Sequence, residues 1–276
     1  MTEHEREHEE LAKKPSSLVG REAPTFEADA LLPDGTIGRI SFEEYRGRPT
    51  LLIFYALDFS CVCPTQIVAF SDALDEFESA NVGLVAVSVD SVYAHAAWAA
   101  TPRSRGGVEG VRFPLVADLT KRIADEYGVL DCERGVARRA LVLIDADGIV
   151  QAELEYGKPF GPSVEETLRL ARGLAYHVET GETCPTDWRE GDEGIPDDPD
   201  AAEEYYRERF ADEERDVEEE IEEEILEIEI SETEDDDADD DGQTGERDEK
   251  KDEKREKKER KEEEKEEKKK EKGKDK

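Results

Sequence analysis

"FYALDFSCVCPTQI", residues 54–67, decides how the rest of the chain is read. An apolar run that starts at Thr50 ends near Leu57, two cysteines follow one residue apart, and Pro64 stands directly behind the second. From Pro64 to Ala80 the apolar residues Ile67, Val68, Phe70, Ala73, Leu74 and Phe77 fall at helical spacing. The pattern is strand, short loop, helix, with Cys63 at the helix N-terminus, close to the N-cap position. Unpaired backbone N–H groups and the positive end of the helix dipole favour a thiolate there. Pro64 suits the first helical position, where its missing N–H would go unused anyway. Cys61 has no such help. From the residues alone three readings stay open: two buried core cysteines, a metal clip, or a reactive thiol beside a bystander. Cys132 and Cys184 share no Cys-x-x-Cys spacing with the pair, which counts against the clip.

Outward from this stretch the pattern repeats. "TLLIFYAL" (50–57) and "VGLVAVSVD" (82–90) are continuous apolar runs, as in strands buried on both faces. "LLPDGTI" (31–37) reads as a turn between short strands, with Pro-Asp-Gly supplying the bend. A helical stretch over 91–100 precedes "FPLVAD" (113–118) and a short helix from Leu119 to Tyr127. "RRALVLIDADGIVQAELEY" (138–156) is two strand patterns around Asp-Ala-Asp-Gly, a hairpin signal. Residues 162–179 form the last clear helix, opened by Pro162 and Ser163 with Glu166 placed for a capping box. Alternating strands and helices of this kind imply an α/β fold, a mixed central sheet flanked by helices.

The apolar residues thin out after about residue 195, so one folded domain is expected over 15–195. Before it, 1–14 is a polar arm in which His4 and His8, four apart, read as solvated side chains rather than a metal clip. After it, 196–276 is an acidic and then Lys/Glu-rich tail, largely disordered. Within the tail, 216–230 carries its isoleucines on one side, and 250–276 is low-complexity Lys/Glu.

The 276 residues carry a formal charge of −37. The stretch 201–276 holds 37 acidic and 19 basic residues, which leaves 38 and 19 in 1–200, so the folded body is itself at −19. Such a body repels nucleic acid and anionic membrane, whose phosphates need Lys and Arg. Its only lysines are Lys13, Lys14, Lys121 and Lys158, an acidic, lysine-poor surface that suits a salt-rich cytoplasm where self-repulsion is screened. No run of eighteen apolar residues is present, and the N-terminus lacks a signal-peptide layout. A cytoplasmic protein is expected, and in that compartment four cysteines point to catalysis, redox work or metal rather than a disulfide framework.

The company that Cys63 keeps resembles the typical two-cysteine peroxiredoxins, the alkyl hydroperoxide reductase C / thiol-specific antioxidant family. That family carries Pro-x-x-x-Thr-x-x-Cys-Pro-Thr-Glu at its peroxide site. The corresponding run here is Ala56-Leu-Asp-Phe-Ser60-Cys-Val-Cys63-Pro64-Thr65-Gln66. The likeness extends from Leu18 to Ile195 through "LPDGTIGRISFEEYRG", "AFSDALDEF", "VSVDSVYAHAAW", "TPR", "FPLVAD" and "GPSVEETLRL".

The resemblance implies a thioredoxin-like fold with a C-terminal extension and a thioredoxin-dependent peroxidase without cofactor or metal. Its substrates would be hydrogen peroxide and organic hydroperoxides, in antioxidant defence. By matching positions Cys63 attacks the peroxide and becomes a sulfenic acid. Ser60 stands where a threonine hydroxyl bonds the peroxide, Arg139 where an arginine holds the thiolate, and Gln66 where a Glu or Gln orients that arginine. "GETCPTDW" (181–188) resembles the resolving segment, so Cys184 would close a disulfide with Cys63 of the other subunit. A homodimer is implied, with decamers formed by rings of five dimers in relatives, and a thioredoxin-like or other dithiol protein as reductant. Arg138 reads as a surface ion pair, Cys132 as a loop bystander, and His95 and His177 as packed or surface histidines.

The chain departs from the family at Ala56, where a proline is usual, at Ser60 for threonine, and at Cys61, where relatives often carry an aromatic. The overoxidation-prone relatives' loop and tail are half-matched by Gly106-Gly107-Val108-Glu109 and Tyr205-Tyr206. Two other functions stay in view: a disulfide exchanger or redox sensor using Cys61 and Cys63, and a ring-forming holdase.

Overall fold

Pro33, Asp34 and Gly35 turn the chain between β1 (Glu27–Leu31) and β2 (Ile37–Ser41), with Gly35 at φ 82° and the Asp34 carboxylate accepting the Thr36 N–H at 2.9 Å. This computed structural model describes residues 17–211. The arm 1–14 with His4 and His8, and the segments 216–230 and 250–276, lie outside the described residues. The chain divides into two units, Met1–Glu203 and Glu204–Lys276, and the architecture below belongs to the first.

The apolar runs become β3 (Thr50–Phe54) and β4 (Gly83–Ser88), every residue of both buried. They pair in parallel at the middle of a seven-stranded sheet, joined by β5 (Leu115–Ala117) beside β4, and by β8 (Arg139–Ile144) and β9 (Val150–Tyr156) beyond β3. The order β2-β1-β5-β4-β3-β8-β9 mixes two parallel pairings with antiparallel ones, the mixed sheet that the alternating pattern implied. Between β5 and β8 a short ribbon of β6 (Leu130–Asp131) and β7 (Val136–Ala137) stands apart from the main sheet, too brief to leave a periodic signal.

Alternation sorts the strand side chains onto two cores. Leu51, Ile53 and Tyr55 share one with Leu84, Ala86, Leu141 and Leu143, and it is this core that Cys63, Ile67, Phe70 and Trp98 complete. Leu52, Phe54, Val85, Val87, Val142 and Ile144 face the other. The helical pattern over 64–80 divides into α1 (Cys63–Asp72) and α2 (Leu74–Ser79), because the backbone at Ala73 leaves helical values (φ −88°, ψ 5°). The break lets Leu74 and Phe77 join the Phe70 face, where the Phe70 and Phe77 rings are 5.8 Å apart.

Helices α3 to α5 follow. Ser91 caps α3 (Val92–Ala99) through the Ala94 N–H, and α4 (Arg122–Glu126) is a single short turn. Ser163 caps α5 (Val164–Thr180) by accepting the Glu166 N–H at 3.2 Å. The expected capping box is only half made. Glu166 turns to Arg169 instead, with contacts of 2.7 and 2.8 Å, since a bidentate guanidinium outcompetes one backbone N–H.

The glycine pair after the 3-10 turn Arg103–Arg105 carries a packing constraint. The Trp98 indole donates to the Gly106 carbonyl at 2.8 Å, and a Cβ on Gly107 would lie 1.9 Å from the Thr101 carbonyl oxygen. Gly107→Ala is therefore expected to destabilise the fold by about 3 kcal/mol, the upper range for overpacking. That corresponds to a Tm lowered by roughly 6–12 °C in a body of this size, readable by thermal melting. A Tm within 2 °C of wild type, as a rough bound on noise, would contradict the constraint.

Candidate active site

Cys63 is the first residue of α1 and Pro64 the second, one place further into the helix than the sequence suggested. Val62 provides no side-chain cap and no acidic residue stands in the first turn, so nothing of opposite sign offsets the dipole at this end. The Val62 carbonyl accepts the Thr65 hydroxyl at 2.7 Å and the N–H groups of Thr65 and Gln66 at 3.1 and 3.3 Å, which fixes the first turn. Cys63 is a free thiol, 1% exposed, whereas Cys61, also free, is exposed. Gln66, one helical turn on, shares the buried face of α1 with Cys63, Ile67 and Phe70.

Arg139 opens β8. The register pairs Ala140 with Phe54, so Arg139 lies at the end of the sheet where β3 gives way to the Cys63 loop. Strand parity sets it with Leu141 and Leu143, on the face of the sheet that Cys63 covers, and sends Arg138 to the opposite face. Arg138 lies 2.6 Å from Glu155 and donates to the Gly128 and Leu130 carbonyls, the surface pairing expected for it. Arg139 donates to the Phe160 carbonyl at 2.7 Å and to Lys158 at 3.5 Å. It has no bond to Gln66 or to Cys63.

Among the described residues six buried polar side-chain atoms lack a hydrogen-bond partner, and four of them are Ser60 Oγ, Arg139 Nε and both amide atoms of Gln66. Buried polar atoms are rarely left so. Three residues that the sequence singled out thus hold most of the unspent hydrogen-bonding capacity in the interior.

Cys184 sits elsewhere. Its thiol donates to the Gly173 carbonyl of α5 at 3.6 Å, and a Cβ on Gly173 would stand 3.3 Å from its sulfur. Burial pushes the Cys184 thiol above its ordinary value, with the Arg169 guanidinium pulling the other way. Trp188, 2% exposed, anchors the segment: its ring lies 5.0 Å from that of Tyr176 and its indole donates to the Asp192 carbonyl. Cys132 is exposed and unpaired in the β6–β7 ribbon.

The sequence reading missed one cluster. Asp58, in the loop between β3 and Cys63, is buried, accepts the Tyr55 phenol at 2.9 Å and meets His95 Nδ1 at 2.8 Å. His95 is packed, as expected, yet its packing ties it to this loop. The available signal was an acidic residue set in an otherwise apolar run.

The family comparisons concern the folded body as a whole. The model of the AhpC/TSA family matches residues 19–153, and that of the C-terminal domain of 1-Cys peroxiredoxin matches 173–209, the stretch that holds Cys184 and Trp188. Chicken (Gallus gallus) Peroxiredoxin-1 is 41% identical over 190 residues, covering 69% of this chain and 96% of the relative. Mouse (Mus musculus) Peroxiredoxin-2 is 42% identical over 191 residues, 69% of this chain and 96% of the relative. The crystal structure of reduced 2-Cys peroxiredoxin from Plasmodium vivax superposes with a TM-score of 0.63 at 41% identity, over 64% of this chain and 92% of that one. With a free thiol opening the helix that follows β3 on a thioredoxin-type sheet, and this likeness along the folded body, the chain belongs to the AhpC/TSA family, the thiol peroxidases known as peroxiredoxins.

Proposed function

We propose that Cys63 is the peroxide-reducing thiol and Cys184 its resolving partner. The Cys63 thiolate attacks one peroxide oxygen, the O–O bond breaks, and the leaving oxygen takes up a proton to depart as water or alcohol, leaving a sulfenic acid. Ser60 and Arg139 donate hydrogen bonds to the breaking peroxide and hold its developing negative charge, with Gln66 orienting the guanidinium. The Cys184 thiol then displaces hydroxide from the sulfenic sulfur, water is released, and a disulfide joins the two. A thioredoxin-like dithiol protein reduces it. The observation that carries this reading is the set of buried, unpaired polar atoms on Ser60, Gln66 and Arg139: Gln66 shares the buried face of α1 with Cys63, strand parity turns Arg139 toward the same core, and Ser60 precedes Cys63 by three residues, so that a small, polar peroxide could use all three.

The buried seat of Cys63 and the docked seat of Cys184 mean that both sulfurs must leave their places before they bond. A homodimer supplies the partner thiol in this reading. The edge strand β9 bonds Gly20 and Arg21 only at its first residue, Val150, and its remaining length, Gln151 to Tyr156, has β8 alone beside it among the described residues, a ready surface for a second copy. The catalytic domain is 15–195, the setting a salt-rich cytoplasm, and neither nucleic acid nor membrane is a partner. Among the described residues no helix is long and apolar enough to cross a membrane.

In multiple-turnover assays with a thioredoxin system at high salt, Cys184→Ser is expected to consume about one equivalent of peroxide per chain and then stop, because no second thiol removes the sulfenic acid. Sustained turnover in that variant would remove Cys184 from the cycle and make Cys61 the candidate resolver.

A further inference from the structure

The peroxide chemistry proposed above leaves Asp58 without a task, although the loop is built around it. Its Oδ1 accepts the Tyr55 phenol at 2.9 Å and its Oδ2 meets His95 Nδ1 at 2.8 Å, while its own N–H donates to Asp90 Oδ2 at 2.9 Å. Asp90 Oδ2 also accepts the Ser88 hydroxyl, and His95 Nε2 faces the Val116 carbonyl at 3.2 Å. One carboxylate, two residues before Ser60 and five before Cys63, thereby ties the loop to the residue after β3 and to α3, while the Asp58 backbone reaches Asp90 just past β4 and His95 carries the link on to β5. Tyr55 and His95 are fully buried. In that dry setting a hydrogen bond to a charged group is stronger than its surface counterpart. Burial, reinforced by the Asp58 charge, pushes the Tyr55 phenol well above its ordinary value, so it stays a donor.

The next residue shows what the clamp works against. Phe59 sits at φ 56°, the left-handed region that bulky side chains avoid, and its ring is 55% exposed. A loop that holds such a backbone is over-determined by its surroundings rather than by its own preference. Release of Asp58 would relieve it.

We propose that Tyr55, Asp58 and His95 are positioning residues: together they clamp the 56–62 loop in the form that reacts with peroxide, and the strength of the clamp sets the balance between peroxide reduction and disulfide formation. The two half-reactions make opposite demands. Attack on peroxide needs Cys63 held at the α1 terminus beside Ser60, whereas disulfide formation needs the same loop to let Cys63 out. A weaker clamp slows the first and speeds the second. The proposal rests on the assignment of Cys63 and Cys184 made above.

The test is rapid mixing of the reduced full-length protein with hydrogen peroxide, followed by tryptophan fluorescence. Trp98 reports on the loop, with its ring 5.6 Å from Tyr55 and 6.2 Å from Phe59. The peroxide-dependent phase gives the first rate constant, and the peroxide-independent phase gives the second. Asp58→Ala is expected to lower the first by about tenfold and raise the second severalfold, as loss of hydrogen bonds to a charged group would do. Tyr55→Phe, which removes one hydroxyl and guards against a misfolded Asp58 variant, should shift both in the same directions by about threefold. Asp58→Asn should recover part of the first constant. Val142→Ala, on the opposite core face, is the control: it should lower Tm yet leave the ratio of the constants at the wild-type value. Unchanged constants in the clamp variants, or constants that fall together, would overturn the clamp. A wild type without the two phases, or a Cys184→Ser protein that keeps the second, would overturn the cysteine assignment and the clamp with it.

Discussion

Cys63→Ser is expected to abolish peroxide consumption, with a loss of about 10⁴-fold or more, equivalent to about 5.5 kcal/mol of barrier. The reason is chemical rather than steric. Serine fits the same seat at the start of α1, but its hydroxyl is neither ionised near neutral pH nor a strong nucleophile without an adjacent base. Among the described residues no base is hydrogen-bonded to Cys63. The fold should survive, because the change exchanges one buried atom in a core held by Tyr55, Ile67 and Phe70. Single-turnover peroxide consumption and a thermal melt on the same sample separate the two effects. Retained turnover in a folded Cys63→Ser protein would move the chemistry to another thiol, with the exposed Cys61 first in line.

The second large effect is expected at Arg139. Arg139→Gln should lower the rate constant for peroxide by about 10²-fold, near 2.7 kcal/mol, the scale seen when one preorganised donor to a developing oxyanion is removed. The strand parity that sets Arg139 on the Cys63 face is what separates it from its neighbour, whose guanidinium lies 2.6 Å from Glu155. Arg138→Gln breaks the half-exposed contact to Glu155 and should leave the rate within about twofold, with less than about 1 kcal/mol lost in stability. Arg139→Lys should restore little, since an ammonium keeps the charge but not the planar fork. Equal rate losses at 138 and 139 would contradict the role given to the strand face.

What the sequence made legible follows physical range. The apolar runs at 50–57 and 82–90 are local signals, and they form the parallel centre of the sheet. The Pro-Asp-Gly bend and the hairpin around residues 145–148 are set by turn chemistry within a few residues, and both are formed. The break at Ala73 is different. Apolar spacing runs through it without interruption, because the reason for the break lies in where Phe77 meets Phe70 and in the docking of the Arg112 backbone on the Ser71 hydroxyl. The capping box at Ser163 failed for a similar reason, since Glu166 had a stronger partner in Arg169.

At the site the same division holds. Cys63 was legible because a strand, a loop and a proline-led helix fix its position locally. Asp58 was not, because its partners Tyr55, His95, Asp90 and the Val116 carbonyl behind His95 come from four elements that only the folded sheet assembles. Nor was the seat of Cys184 on α5, where Gly173 owes its place to the sulfur and the Trp188 ring beside it.

The catalytic cycle proposed for Cys63 and Cys184 turns on which two sulfurs bond. The measurement that tests it most directly is peptide mapping by mass spectrometry of the wild-type protein after one equivalent of peroxide, with thiols blocked at the moment of quenching. The expected product is a linked pair of peptides, one carrying Cys63 and the other Cys184, recovered from the dimer-sized band of a non-reducing gel. A Cys61–Cys63 bond within one peptide of a monomer-sized chain, or Cys63 recovered as an unoxidised thiol, would contradict it.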